Sequence, residues 1–232
     1  MNVRIAACFT LFALFLGGCA ASPSAPEPIE LPVRVLLLGD SISIGYTQPV
    51  RELLGEDYIV VRPTNAKGGA ENCAGTNKGV GNIDRWVALE GGDWDVIHYN
   101  FGLHDLKRVH PETGKNSTNP DDPYQADPER YRAQLEAITE RLEATGARLI
   151  FATTTPVPEG VRPYRAPSDP LTYNAVALEV LDGRGVVIND LFTFANARLD
   201  EIQKERDVHF SKEGSAALAE QVAGAIRARA GH

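Results

Sequence analysis

The sequence predicts a single α/β domain in which a five-stranded parallel sheet lies between two layers of helices. Short, nearly continuous apolar runs recur from Val33 onward, as is typical of parallel strands buried on both faces. Longer segments with a helical period separate these runs, so strand and helix alternate along the chain. The 232 residues, 43% of them hydrophobic, suffice for one three-layer α/β/α sandwich.

The strand candidates are short and rich in aliphatic or β-branched residues. We predict strands over Val33–Leu38, Tyr58–Arg62, Asp95–Asn100, Arg148–Thr153 and Gly185–Asn189. We predict helices over Pro49–Leu54, Asn82–Leu89, Pro128–Thr145, Leu171–Leu181, Asp190–Glu205 and Lys212–Ala230. Between the third strand and its helix, Lys107–Asp127 is polar, rich in turn residues and long for a connection. We expect this segment to be a functional insertion beside the site.

The N-terminal residues have a different pattern. Residues 1–4 form a short basic region, and residues 5–16 are apolar over a length that fits a signal peptide rather than a membrane span. Residues 16–19, Leu-Gly-Gly-Cys, resemble the lipobox of bacterial lipoproteins, which is cleaved before a cysteine that carries diacylglycerol. We predict a signal peptide over 1–18, a lipidated Cys19 with a proline-rich tether over 19–32, and the folded domain over 33–232. The alternative is a plain secretory signal cut near Ala20 and Ala21.

This lipobox resemblance implies a place in the bacterial cell envelope. Ala20 after the cysteine resembles the outer-membrane class, so we expect the periplasmic face of the outer membrane, held through the lipid on Cys19. The net charge of −8 argues against nucleic acid as a partner, because phosphates are neutralised by clustered Lys and Arg. No Cys/His array has metal-ligand spacing, and we expect no metal and no cofactor.

Two short motifs carry the chemistry. Gly39-Asp40-Ser41 comes directly after the first apolar run, which puts a hydroxyl at the carboxyl end of a parallel strand, where open α/β sheets bind ligands. Near the other end of the chain, Asp207 and His209 supply an acid and an imidazole two residues apart. A serine early in the chain and an acid with a histidine late are an order in which a nucleophilic triad is built. The leading interpretation is an ester hydrolase.

Four blocks of sequence, in order, resemble the SGNH (GDSL-type) hydrolase family from Val33 to the C-terminus. The resemblance implies a flavodoxin-like five-stranded parallel sheet, with Ser41 as nucleophile and its backbone N–H as one oxyanion donor. It also implies an oxyanion glycine after the second strand. Gly75 in Asn-Cys-Ala-Gly-Thr matches it best, and the competitors nearby are Gly68, Gly69 and Gly79.

Two blocks depart from the family pattern. In Phe-Gly-Leu-His-Asp, His104 stands where the family has an oxyanion asparagine, so we predict His104 as the third donor, with Asn100 as the alternative. The family places the triad acid three residues before the base, but that position is Arg206 here. We predict His209 as the base and Asp207 as its orienting acid. Glu205 or a backbone carbonyl are the alternatives for this last role.

The predicted function is hydrolysis of short-chain esters, acetyl esters above all, on a carbohydrate. The polar insertion suits a sugar-bearing substrate, either a small molecule or a polysaccharide, better than it suits an acyl tail. One alternative is a lysophospholipase or thioesterase, which would need an extended apolar groove. The other is a non-catalytic binding lipoprotein on the same scaffold, suggested by the two departures from the family pattern.

Overall fold

Five strands form one parallel sheet. They are β1 (Val33–Leu38), β2 (Tyr58–Val61), β3 (Val96–Tyr99), β4 (Arg148–Ala152) and β5 (Val187–Asn189). Their order across the sheet is β2-β1-β3-β4-β5, and every neighbouring pair is parallel. This confirms the predicted sheet. The computed structural model describes residues 31–231, so the predicted signal peptide 1–18, Cys19 and nearly all of the tether 19–32 lie outside the described residues.

Helices cover both faces of the sheet. They are α1 (Ser41–Leu54), α2 (Thr76–Val87), α3 (Pro128–Glu143), α4 (Asp169–Leu181), α5 (Leu191–Asn196), α6 (Leu199–Ile202) and α7 (Lys212–Ala230). One layer is built around α1 packed against α7, and the other is the series α2, α3, α4. The fold is therefore the predicted three-layer α/β/α sandwich. No helix within residues 31–231 is long and apolar enough to cross a membrane.

Three helix predictions differ from the structure. Helix α1 begins at Ser41 instead of Pro49, because the Asp40 side chain caps it by accepting from the Ile42 N–H. Helix α2 begins at Thr76 instead of Asn82. The segment predicted as one helix over Asp190–Glu205 is two short helices, α5 and α6, followed by a loop.

The sheet order places a topological switch between β1 and β3. Strand β1 lies between β2 and β3, and its side chains from Val35 to Leu38 are fully buried. At such a point the connections from neighbouring strands leave in opposite directions, which opens a crevice at the carboxyl edge. Three of the four segments predicted to carry the site follow β1, β2 and β3 directly and therefore begin at this edge. The fourth, which carries Asp207 and His209, lies between α6 and α7.

Arg108 and Tyr124 help to tie the polar insertion 107–127 to the body of the domain. The Arg108 guanidinium lies 3.6 Å from the ring centroid of Tyr124 and 3.2 Å from the Asp169 carboxylate at the start of α4. The Tyr124 hydroxyl also donates to Asp169, at 3.0 Å. Backbone bridges join Arg108 to Tyr124 and Val109 to Asn116. The insertion is thus a folded element against the carboxyl edge.

Candidate active site

Ser41 is the first residue of α1, immediately after β1. The turn that leads to it requires glycine at position 39, because a Cβ there would lie 2.8 Å from the Ser43 Oγ. The N–H of Ser41 has no protein acceptor within residues 31–231, as expected for the first turn of a helix. Ser41 therefore combines a hydroxyl and a free amide at the positive end of the helix dipole, and it lines a cavity described below.

A continuous chain of hydrogen bonds joins Ser41 to His209 and Asp207. The His209 Nε2 lies 2.9 Å from the Ser41 Oγ, and the His209 Nδ1 lies 2.7 Å from the Asp207 Oδ1. The structure thus brings together, from opposite ends of the sequence, three residues predicted for the site. Hydroxyl, imidazole and carboxylate in this order can act as nucleophile, general base and orienting acid.

The two-residue spacing of Asp207 and His209 works because Asp207 bonds twice through one oxygen. Its Oδ1 accepts from the backbone N–H of His209 at 3.1 Å as well as from the ring. Such an Asx turn brings the side chain over the residue two places on. Arg206 precedes it with a φ of 54°, in the left-handed region that turns the chain. The alternative acid, Glu205, is exposed and makes no hydrogen bond to His209.

The carboxylate of Asp207 is held in its charged form. Partial burial pushes the pKa of Asp207 upward, but the hydrogen bonds from the backbone and ring of His209 and the positive charge of Lys204 outweigh it. The pKa of Asp207 is therefore lowered from its ordinary value. An ionised acid on Nδ1 favours the tautomer in which Nε2 is free to accept the Ser41 proton.

Gly75 ends the loop that follows β2 and caps α2. A Cβ on it would lie 2.6 Å from the Asp105 Oδ1, so no other residue fits this backbone. Its N–H has no protein acceptor in the described chain, like that of Ser41. The same loop is tied to the end of β1 by a 3.0 Å bond from the Cys73 N–H to the Gly39 carbonyl. These contacts leave the Gly75 N–H free, as the predicted oxyanion role requires.

The competing glycines serve an exposed turn and the packing of a helix. Gly68 and Gly69 belong to an exposed turn closed by Asn65. Gly79 lies within α2, where a Cβ would be 2.5 Å from the Ile138 side chain, so its small size allows the helix to pack.

His104 lines the same cavity as Ser41 and His209. Gly102 makes this possible, since its φ of 151° favours glycine and a Cβ there would overlap the Thr154 hydroxyl. Burial lowers the pKa of His104 to about 3, assisted by the nearby Lys107 and Arg165 cations. The ring is therefore neutral at physiological pH, and it carries one N–H that can donate.

The alternative donor, Asn100, is already engaged. Its Nδ2 donates to the Ala152 carbonyl at 2.7 Å, and its side chain lines a separate small cavity together with Ser43. Ser43 itself is buried and donates to the Asp40 carbonyl at 2.8 Å. Neither residue lines the cavity that contains His104.

Several residues of the cavity were not predicted from the sequence. Arg162, Pro163 and Arg165 lie outside every motif, whereas Asn72 and Val208 lie within motif blocks but had no predicted role. The sequence signal available was weak: two arginines in a proline-rich stretch after β4. In the described part of the chain, no three His, Cys, Asp or Glu side chains are grouped so as to hold a metal ion.

The sheet order and the residues gathered at its carboxyl edge are those of an ester hydrolase. The chain belongs to the GDSL-like lipase/acylhydrolase family, whose model matches residues 37–217. The resemblance stated from sequence is thereby confirmed at the level of the family. No curated protein matches the chain significantly in sequence.

Solved structures share the fold. A lipase/acylhydrolase from Enterococcus faecalis superposes with a TM-score of 0.67 at 20% identity, covering 85% of this chain and 96% of that one. An acetyl xylan esterase, AlAXEase, gives 0.61 at 15% identity over 84% and 100% of the two chains. The catalytic domain of a peptidoglycan O-acetyltransferase from Streptococcus pneumoniae gives 0.57 at 12% identity over 86% and 96%. At these identities the likeness concerns the fold.

Proposed function

We propose that the protein hydrolyses short-chain acyl esters, acetyl esters above all, on a carbohydrate, through Ser41, His209 and Asp207. The observation that carries this proposal is the chain of two hydrogen bonds, 2.9 and 2.7 Å long, from the serine hydroxyl to the carboxylate. Such a series of hydrogen bonds at the carboxyl end of β1 has the parts of an activated nucleophile.

The proposed reaction has two steps. His209 Nε2 accepts the Ser41 proton as Oγ bonds to the ester carbonyl carbon, and the carbonyl π electrons move to oxygen. The tetrahedral intermediate collapses, the C–O bond to the alcohol breaks, and the imidazolium protonates the leaving alkoxide. Water then attacks the acyl-enzyme with His209 again as base, which releases the acid and restores the Ser41 hydroxyl.

Three donors are available for the negative oxygen. The N–H groups of Ser41 and Gly75 have no protein acceptor in the described chain, and the neutral His104 ring faces the same cavity as Ser41. We infer that these three groups donate to the developing oxyanion, since donors that need no reorganisation lower the barrier.

The cavity supports a small acyl group and a polar alcohol. Its volume is about 300 Å³, and its apolar lining is limited to Leu103, Pro163 and Val208. A long acyl chain would need a continuous apolar groove. The acetyl xylan esterase among the structures with this fold is in keeping with such a substrate.

The proposal is tested with the purified protein on p-nitrophenyl acetate, butyrate and octanoate. We expect acetate or butyrate to be preferred, and a fluorophosphonate probe to label the wild type but not Ser41→Ala. Ser43→Ala is the matched control and should still be labelled. Unchanged labelling of Ser41→Ala would refute Ser41 as nucleophile, and no labelling of the wild type would favour the non-catalytic lipoprotein. A tenfold preference for octanoate would favour the lipid alternative.

A further inference from the structure

Three cationic side chains line the cavity that contains Ser41 and His209, and they form no salt bridge with an acidic residue of the described chain. Lys107, Arg162 and Arg165 all line the cavity of about 300 Å³ that contains these two residues. None of the three forms a salt bridge with any residue in 31–231. The whole chain has a net charge of −8, so this local positive charge opposes the overall sign.

Arg165 is the most informative of the three, because it is only 6% exposed. Its Nε donates to the Leu103 carbonyl at 2.8 Å and its Nη1 to the Pro163 carbonyl at 3.3 Å, and both acceptors are uncharged. Its Nη2 makes no hydrogen bond to any residue in the described chain. A guanidinium is forked, and two of its N–H groups can bind one carboxylate side by side.

Burial without an ion pair is unfavourable for this guanidinium. Burial lowers the pKa of Arg165 to about 10, while the more distant carboxylates of Asp40 and Asp207 act in the opposite direction. Asp40 is itself buried and caps α1, and Asp207 is already bonded to His209. Charges withdrawn from water are normally paired, and Arg165 lines the cavity, so an anion bound in the cavity would supply the missing partner.

Lys107 and Arg162 add to this positive region from two other segments. Lys107 is half-buried, and burial together with the Arg165 charge lowers its pKa. Arg162 is exposed at the cavity mouth. Asp207 is the one acidic residue that lines this cavity. Polar amides of Asn72 and Asn116 complete the lining, and these side chains suit the hydroxyl groups of a sugar.

We propose that the alcohol part of the substrate carries a carboxylate, so that the ester is an O-acylated sugar acid. Its carboxylate binds Arg165, with Lys107 and Arg162 adding charge, while its acyl group reaches Ser41. This inference rests on the proposed esterase function and names the substrate class for the same site. A sugar acid is favoured over an anionic lipid because the lining offers amides and no extended apolar wall.

The test compares two esters that differ only in whether the sugar carries a carboxylate. These are a mono-O-acetylated methyl glucuronoside and the corresponding methyl glucoside, in which a hydroxymethyl group replaces the carboxylate. At low salt we expect kcat/KM to be at least about tenfold higher for the uronate, as a charge-assisted bidentate contact would give. The preference should shrink in 0.5 M NaCl, because salt screens exposed charges such as that of Arg162.

Variants locate the effect. Lys107→Gln and Arg162→Gln should each lower the uronate-to-glucoside ratio several-fold, and Arg165→Gln, checked for folding by its melting temperature, should lower it most. Lys115→Gln is the matched control, since Lys115 belongs to the same insertion and carries the same charge but is exposed and outside the cavity lining. This control should leave the ratio unchanged.

The possible failures are distinguishable. Equal kcat/KM on the two sugars, with p-nitrophenyl acetate still hydrolysed, would overturn the sugar-acid inference and leave the esterase proposal standing. A higher kcat/KM on an anionic lysophospholipid than on the uronate would overturn it in favour of a lipid. A loss of preference in Lys115→Gln equal to that in Arg162→Gln would mean that net charge, and not this cavity, selects the substrate. Failure on all esters would refute the esterase function itself.

Discussion

An oxygen of Asp105 occupies the space in which a side chain on residue 75 would have to lie. The Asp105 Oδ1 is 2.6 Å from the Cβ position of Gly75, and it also accepts from the backbone N–H of Thr76 at 2.8 Å. Asp105 is fully buried and follows His104 directly. The Asp105 carboxyl group therefore holds the loop of Gly75 against the segment that carries His104. Gly75 and His104 are two of the proposed oxyanion donors.

Replacing Gly75 with Ala should consequently impair both stability and catalysis. The Cβ must displace the buried carboxyl or the loop, which we expect to lower the free energy of unfolding by about 1–3 kcal/mol, as for other overpacked sites. Movement of the amide from the oxyanion should lower kcat on p-nitrophenyl acetate by roughly 10²-fold.

The matched control for this change is Gly81→Ala. Gly81 lies within α2, where a Cβ meets nothing within 4 Å, so alanine should stabilise the helix by about 0.5–1 kcal/mol without affecting kcat. Melting temperature and kcat are measured for both variants. A Gly75→Ala protein with wild-type values of both would show that the loop relaxes without moving the amide.

Asp105 is expected to carry a proton at mildly acidic pH. Burial raises its pKa to about 6, and its Oδ2 has no hydrogen-bond partner. The Thr76 Oγ1 lies 2.6 Å from the Asp105 Oδ1 and 2.8 Å from the Gln134 Oε1, and one hydroxyl hydrogen cannot serve both acceptors. A proton on Asp105 supplies the missing donor.

This proton makes stability depend on pH through Asp105. Folding raises the pKa of Asp105 from 3.8 to about 6. The protonated Asp105 therefore adds to the free energy of unfolding in full below pH 3.8, and this contribution is lost as the pH rises through 6. Two pKa units correspond to at most ~3 kcal/mol. Asp105→Asn lacks this titration, so its free energy of unfolding relative to wild type should increase between pH 4 and pH 7. A difference that stays constant over this range in urea denaturation would contradict the raised pKa.

The strands and the family blocks could be predicted from sequence because each depends on a short stretch of chain. The run Val33–Leu38 is apolar throughout, as a strand covered on both faces must be. The start of α1 was missed because Ile42, Ile44 and Gly45 are weak helix formers. Tertiary packing decides this helix: a Cβ on Gly45 would lie 3.1 Å from the Ser215 Oγ of α7, so glycine lets the two helices approach.

The cavity lining could not be predicted, because it depends on contacts between distant segments. Arg165 is held by the Leu103 carbonyl, 62 residues earlier, and no local pattern encodes that bond. The choice of Gly75 among its neighbours likewise depends on Asp105, which follows a different strand. Sequence motifs identify the proposed catalytic residues, because these lie within short blocks that resemble the family. The shape and the charge of the cavity around them arise from the tertiary fold.

The role of Asp207 is tested by comparing Asp207→Ala with Glu205→Ala. Loss of the orienting acid should lower kcat by roughly 10⁴, because the imidazole loses both its tautomer preference and the stabilisation of its charged form. Glu205 is exposed and not bonded to His209, so its removal should change kcat little. Steady-state kinetics on p-nitrophenyl acetate measure both. Small and equal effects would indicate a Ser–His dyad held by a backbone carbonyl.

The predicted lipid anchor is tested in bacterial cells fed an alkyne-tagged palmitate. We expect label on the wild type and its recovery with the outer membrane, since the lipobox resemblance ends at Cys19. Cys19→Ser should be unlabelled, whereas Cys8→Ser, which changes a cysteine within the predicted signal peptide, should keep the label. An unlabelled, soluble wild-type protein would favour the plain secretory signal.

The departure from the family pattern at His104 gives the sharpest prediction. His104→Asn should keep substantial activity, because an amide N–H is the donor that the family resemblance implies at this position. His104→Ala should lower kcat by roughly 10²–10³ with little change in KM, as expected for an interaction made mainly in the transition state. Asn100→Ala is the counterpart: if Asn100 were the donor, this variant would lose kcat and His104→Ala would mainly lower the melting temperature.

The pH dependence of these variants adds an independent check on His104. Because burial lowers the pKa of His104 to about 3, its ring stays neutral from pH 5 to pH 9, and its capacity to donate does not change over that range. The ratio of kcat for wild type and His104→Asn should therefore be constant between these limits. A histidine with an ordinary pKa near 6.5 would become charged below that value, and the ratio would then change by several-fold between pH 8 and pH 5. Such a change would show that the ring is more open to water than its burial implies, and that protonation of His104 itself contributes to the acid limb of the profile.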